Sequence, residues 1–172
     1  MTLIKTRARG LKLDDTFAFT GTVSGAGGNT PAFFVKLSGN QTINNNSVTT
    51  MAFDTEVYDS DSAFDTSTYR FTVPSGQAGK YIFTATGGFS NADAGTAARY
   101  QLMFYKNNAS SDFSGDFSQA QNSSADPTLN FTTQFSLSEG DYIDARIYHN
   151  ASSTETLQSA YARFFGFKIG GA

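Results

Sequence analysis

Apolar and polar residues alternate along most of this chain, and turn chemistry interrupts the alternation every few residues. Leu11, Leu13, Phe17, Phe19 and Val23 keep a single parity, the period of a strand with one covered face. Ser24-Gly25-Ala26-Gly27-Gly28-Asn29 then ends the pattern with the composition of a hinge. Beyond it, strand-like runs are expected near Pro31–Ser38, Ser47–Tyr58, Ser67–Val73, Gly79–Gly87, Ala98–Lys106, Asp112–Ser118, Thr128–Leu137, Asp141–Tyr148 and Ala160–Ile169. Between them lie turn signals such as Ser38-Gly39-Asn40, Pro74-Ser75-Gly76 and Glu139-Gly140-Asp141. No long run with a 3.6-residue period and caps appears. The pattern predicts an N-terminal arm over residues 1–29 with its own β segments. It predicts an all-β domain over residues 30–172, a sandwich or jelly roll of about ten antiparallel strands.

Composition agrees and removes alternatives. Phe 17 and Tyr 8 suit pleated, half-buried surfaces, whereas the 16% of charged residues falls below the usual ~25%. A helical bundle, a coiled coil and a disordered chain are excluded. The absence of cysteine excludes a disulfide scaffold, a thiolate metal site and a cysteine nucleophile. No apolar run approaches the ~18 residues of a membrane span, and the first ten residues hold no signal-peptide core. The expectation is a soluble protein made without export signals, with no membrane partner.

Charge is uneven. Lys5, Arg7, Arg9 and Lys12 precede the first acid, Asp14, so the first 13 residues carry +4 and the remainder −7. With a net charge of −3, the whole molecule is not a generic nucleic-acid binder. The basic arm lacks neighbouring stacking aromatics, which disfavours nucleic acid there too. Docking of the arm on an acidic protein surface fits better, through Arg7, Arg9, Leu11, Leu13, Phe17, Phe19 and Val23.

An ordered series of motifs runs through the globular part: Ala32-Phe33-Phe34-Val35; Phe53-Asp54-Thr55-Glu56-Val57-Tyr58-Asp59 with Phe64-Asp65; Tyr69-Arg70-Phe71-Thr72-Val73-Pro74; Gly79-Lys80-Tyr81-Ile82-Phe83; Tyr105-Lys106-Asn107; Leu137-Ser138-Glu139-Gly140-Asp141-Tyr142-Ile143; and Phe164-Phe165-Gly166-Phe167-Lys168-Ile169. In this order it resembles the complement C1q-like head domain, the jelly roll shared with the tumour-necrosis-factor superfamily. The resemblance spans most of residues 31–172. Tyr69 stands where the family has glycine, and neither the family's cysteines nor a collagen-like repeat is present. The arm is similar to leader segments that precede such heads in tailed-phage (cyanophage-like) virion structural proteins.

Candidate chemistry is sparse. Phe53, Phe71, Tyr81, Phe83, Phe165, Phe167 and Ile169 are spaced as inward-facing strand positions, a sandwich core for most of them. The closing strand is apolar on both faces, with Phe165, Phe167 and Ile169 on one and Phe164 on the other. The resembled family places its closing strands near a threefold axis. Phe164, Phe165, Phe167 and Ile169 are therefore the expected oligomer contacts. His149 has no partner serine or orienting acid in the pattern and reads as a surface or turn residue. Asp59-Ser60-Asp61-Ser62 with Asp65 lacks the glycine and terminal glutamate of an EF-hand loop and reads as turn chemistry.

No enzyme, cofactor or metal site is expected. The resemblance implies a homotrimeric virion structural protein at the virion surface. Its concrete form is a head decoration, or cement, protein anchored by the arm to the major capsid protein or another virion protein. The alternative is a receptor-binding head of a phage tail or fibre that recognises a host-surface ligand.

Overall fold

The computed structural model describes residues 30–90, 98–119 and 126–171. The arm over residues 1–29, with its expected docking residues, lies outside the described residues. Among the described residues no helix forms, and the strands in chain order are β1 (Ala32–Lys36), β2 (Gln41–Ile43), β3 (Thr49–Thr50), β4 (Thr55–Asp59), β5 (Phe64–Asp65), β6 (Arg70–Thr72), β7 (Gly79–Ser90), β8 (Arg99–Lys106), β9 (Ala109–Gln119), β10 (Thr128–Leu137), β11 (Tyr142–His149), β12 (Glu155–Leu157) and β13 (Arg163–Gly171).

They pair antiparallel into two layers. The first is a seven-stranded sheet ordered β2-β12-β7-β13-β1-β4, with β10 also on β7. The second is a six-stranded sheet ordered β5-β6-β11-β8-β9, with β3 also on β11. This is an all-β jelly roll. The expected run Ser47–Tyr58 divides because it changes layers: Thr49–Thr50 pairs with β11 and Thr55–Asp59 with β1. Between the two pieces, Met51 and Phe53 plug the core. Strands β2 and β12 are too short and polar to show a period. They arise by pairing with each other, and β12 also with the far end of β7.

Phenylalanine fills the space between the layers. Phe33, Phe83 and Phe164 come from the seven-stranded sheet, and Phe64, Phe71 and Phe104 from the other. Phe33 stacks on Phe71 at 5.0 Å between ring centroids and meets Phe164 edge-on at 4.9 Å. Burying each such ring contributes about 1.5–3 kcal/mol, and favourable ring geometry adds ~0.5–1.5 kcal/mol per pair. Gly166 lies on the same side of β13 as Phe164. A Cβ there would meet the edge of the Phe83 ring and sit 2.9 Å from the Ile82 carbonyl oxygen.

Between β5 and β6, Tyr69 holds a left-handed backbone, φ 60°. That conformation costs a residue with a Cβ about 1–2 kcal/mol. The glycine of the resembled family is at home there, and this chain forms the turn with a tyrosine instead.

Candidate functional site

The closing strand presents its residues differently from the expectation. Phe164 is wholly buried within the chain, touching Phe33, Phe53, Phe64, Phe83 and Phe104. It is a core residue and not an oligomer contact. Phe165 and Phe167, expected among inward positions, are half-buried on the outer face of the seven-stranded sheet. A shift of one residue in parity exchanges the two faces of a strand. Ile169 is 44% exposed. It falls at the bulge between Lys168 and Gly170, so the alternation that carries Phe165 and Phe167 outward breaks before it.

Strand pairing extends this outer face into a grid. Tyr58, Phe34, Phe165, Thr84 and Thr132 lie side by side on β4, β1, β13, β7 and β10. Phe34 meets Tyr58 edge-on at 6.2 Å and Phe165 edge-on at 6.0 Å, and the hydroxyls of Thr84 and Thr132 are 2.8 Å apart. The next row places Phe167 between Ala32 and Ile82. Tyr58 is 51% exposed. Phe34 and Tyr58 were missed by the sequence reading. A signal existed for Phe34, because the doublet Phe33-Phe34 is apolar on both faces just as Phe164-Phe165 is.

The outer face of the six-stranded sheet is built from different residues. Tyr142, Asp144, Arg146 and Tyr148 share one side of β11, while Ile143, Ala145, Ile147 and His149 face the core. The Asp144 carboxylate, 1% exposed, accepts from Arg146 Nε at 2.6 Å and Nη2 at 3.2 Å. Arg146 Nη2 also donates to Asn108 Oδ1 at 2.7 Å. The hydrogen bonds to Asp144 raise the Arg146 pKa above its ordinary value despite burial. Its guanidinium lies 3.9 Å from the Tyr105 ring centre. Arg70 covers Tyr142 at 4.4 Å and stands 3.6 Å from Asp144, and Arg99 covers Tyr148 at 4.9 Å.

His149 is fully buried, contrary to its reading as a surface or turn residue. Its ring lies near Tyr100 and meets Phe89 edge-on. The Ala151 amide donates to Nδ1 at 3.3 Å, so Nε2 holds the ring proton and donates to the Ile43 carbonyl at 3.0 Å. Both nitrogens are thus occupied by backbone, and the ring ties the end of β11 to β2. The acidic loop turns inward on itself. Asp59 accepts from the amides of Asp61 and Phe64. Asp65 accepts from the Ser67 hydroxyl and amide and from the Thr68 hydroxyl, which lower its pKa to about 2. No three metal-ligating side chains cluster among the described residues.

A surface groove of about 340 Å³ runs past Ser38, Asn40, Gln41 and Asp54. There the Asp54 carboxylate accepts from the Ser38 amide at 2.7 Å and hydroxyl at 2.5 Å. The Ser38 side chain comes first among the groups that pull its pKa below the ordinary carboxylate value. The pair is a turn brace, and no imidazole stands beside it: the single histidine is the buried one.

No protein-family model and no curated protein sequence matches the chain. Solved structures do match its fold. The globular domain of zebrafish complement 1qA protein shares a TM-score of 0.58 at 19% identity, over 83% of this chain and 100% of that one. Murine APRIL gives 0.57 at 15%, over 80% and 98%. The PRD1 vertex protein P5 gives 0.57 at 18%, over 84% and 100%. At these identities the likeness is one of fold, and the fold is the C1q/TNF-like jelly roll.

Proposed function

We propose that this chain is a non-enzymatic structural protein of a virion surface, whose head assembles as a homotrimer through the outer face of the seven-stranded sheet. The observation that carries the reading is the row Tyr58, Phe34 and Phe165, with Phe167 beside it: aromatic area on three adjoining strands, half-buried to exposed in the single chain. Apolar area of this kind gains about 25 cal/mol per Å² when a neutral partner covers it, and an obligate interface buries upward of ~2,000 Å². A second copy presents the same aromatic surface, with Lys36 and Arg163 flanking the row rather than interrupting it. The likeness to a protein named as a vertex protein supports a virion setting. In its most concrete form the protein is a head-decoration (cement) protein of a tailed phage, and residues 1–29 anchor it to the major capsid protein.

A second reading, a receptor-binding head of a tail or fibre, is favoured by the cation-bearing outer face of the six-stranded sheet. Copy number separates the two. Antibody labelling of particles should show hundreds of copies over the shell for decoration, and a few trimers at the tail for a receptor-binding head. Light scattering tests the assembly itself. The wild type should be trimeric at micromolar concentration, while Phe34→Asp and Phe165→Asp should each yield folded, smaller species. A wild-type mass of 18.5 kDa would remove the trimer.

A further inference from the structure

The outer face of the six-stranded sheet carries three guanidiniums against two carboxylates, the buried Asp144 and the exposed Asp65, which stands opposite Arg70 but is held by Ser67 and Thr68. Arg146 takes both oxygens of Asp144, so Arg70, 3.6 Å away, is left without a hydrogen bond at Nε. Among the described residues no carboxylate lies within ion-pair distance of Arg99. A chain of net charge −3 thus presents a local excess of positive charge on one strand face. The two under-neutralised arginines sit at its ends, over Tyr142 and Tyr148. Six residues of strand separate those tyrosines, roughly 20 Å at ~3.3 Å per residue.

We infer that this face binds an acidic polysaccharide laid along β11, its carboxylate or sulfate groups held by Arg70 and Arg99. Stacking on tyrosine holds each guanidinium plane in place, so little side-chain freedom is lost when the fork takes an anion. The spacing suits a linear polymer with repeated charges better than a single small anion. Nucleic acid fits less well, because the tyrosine faces that would stack bases are already covered by guanidinium. An acidic protein fits less well too, since the face has no apolar centre to serve as an anchor. The inference does not depend on the trimer or on the arm.

The test titrates full-length protein at low salt with alginate oligomers, heparin oligosaccharides and neutral dextran, read by calorimetry. At least one acidic polymer should bind and dextran should not; which one binds distinguishes carboxylate from sulfate. Binding should weaken steeply as salt rises, as expected for charges within a Debye length. Arg70→Gln combined with Arg99→Gln should weaken it about tenfold or more, the order expected for loss of two charge-assisted contacts. Arg99→Gln alone, whose side chain donates no hydrogen bond among the described residues, should show part of that loss with an unchanged melting temperature. Absence of binding by the wild type overturns the inference, as does binding indifferent to these substitutions. Equal, equally sensitive binding of poly-glutamate or an oligonucleotide also overturns it, because the face would then attract any polyanion.

Discussion

On the outer face of the seven-stranded sheet, Phe34 meets Tyr58 on one side and Phe165 on the other edge-on, and their row runs into the paired hydroxyls of Thr84 and Thr132. On the outer face of the six-stranded sheet, Tyr142, Tyr148 and Tyr105 each lie beneath a guanidinium. The aromatic row of the first face is itself uncharged, with Lys36 and Arg163 beside it, so the energy that row offers a partner is that of covering apolar area. In the second face the aromatic surface is already covered, and what remains to be satisfied is charge. One sandwich therefore presents two chemistries, one suited to a copy of itself and the other to an anion. The difference arises because β11 alternates tyrosine with ionic residues, whereas β1 and β13 place phenylalanine on both sides.

The sharpest way to test the division between core and face uses two neighbours in sequence. Phe164→Ala removes a ring packed against five others and should cost about 3–5 kcal/mol in urea unfolding. Phe165→Ala should leave the unfolding free energy of the single chain within about 1 kcal/mol and weaken association instead. Equal losses at both positions would erase the distinction between the faces of β13.

A smaller effect probes how far the six-stranded face is self-sufficient. Arg146→Met leaves Asp144 buried with only Arg70 nearby, and should cost about 3 kcal/mol, the low end for breaking a buried pair. Arg70→Gln should cost under about 1 kcal/mol, as for an exposed partner, because Arg146 keeps both carboxylate oxygens. Thermal unfolding of the two variants checks this, and the reverse order would mean that Arg70 is the structural partner.

The smallest expected effect comes from pH. Just before β11, burial pushes the Asp141 carboxyl up, but hydrogen bonds from Lys106, Asn107 and the Ser138 amide outweigh it and leave the pKa below its ordinary value of 3.8. A carboxylate whose folded pKa is depressed contributes stability above its unfolded pKa and loses it as pH falls through the folded value. Stability should therefore decline below about pH 4, and Asp141→Asn should flatten that acid limb. Identical acid limbs in the wild type and the variant would show that Asp141 contributes nothing to it.

Much of this was legible in the chain. The long strands β7, β8, β10, β11 and β13 follow from alternation bounded by turn residues, and the order of motifs pointed to the jelly roll. His149 could have been placed as well, since it shares parity with Ile143, Ala145 and Ile147 on the core face of β11. Strands β2 and β12 were not legible, because their three residues show no period and become strand only through each other and β7. The grid of Tyr58, Phe34 and Phe165 was hidden for a similar reason. Its members come from three distant stretches of sequence and meet only through register.

By itself the sequence determined that this chain alternates, that it turns often, and that its closing strand is apolar on both sides. Those are local properties, set by side-chain period and turn chemistry. The tertiary structure decided which side of β13 is interior. Phe164 and Gly166 face the opposing layer, and the neighbouring Phe33 and Phe83 of their own sheet leave room there for a ring and then only for a glycine. It also decided that Arg70, Arg99 and Arg146 cover tyrosines and that Asp144 is buried, because those contacts form between neighbouring strands or across one strand's face. A strand's period specifies that it has two faces; only the layer packed against it specifies which one is dry.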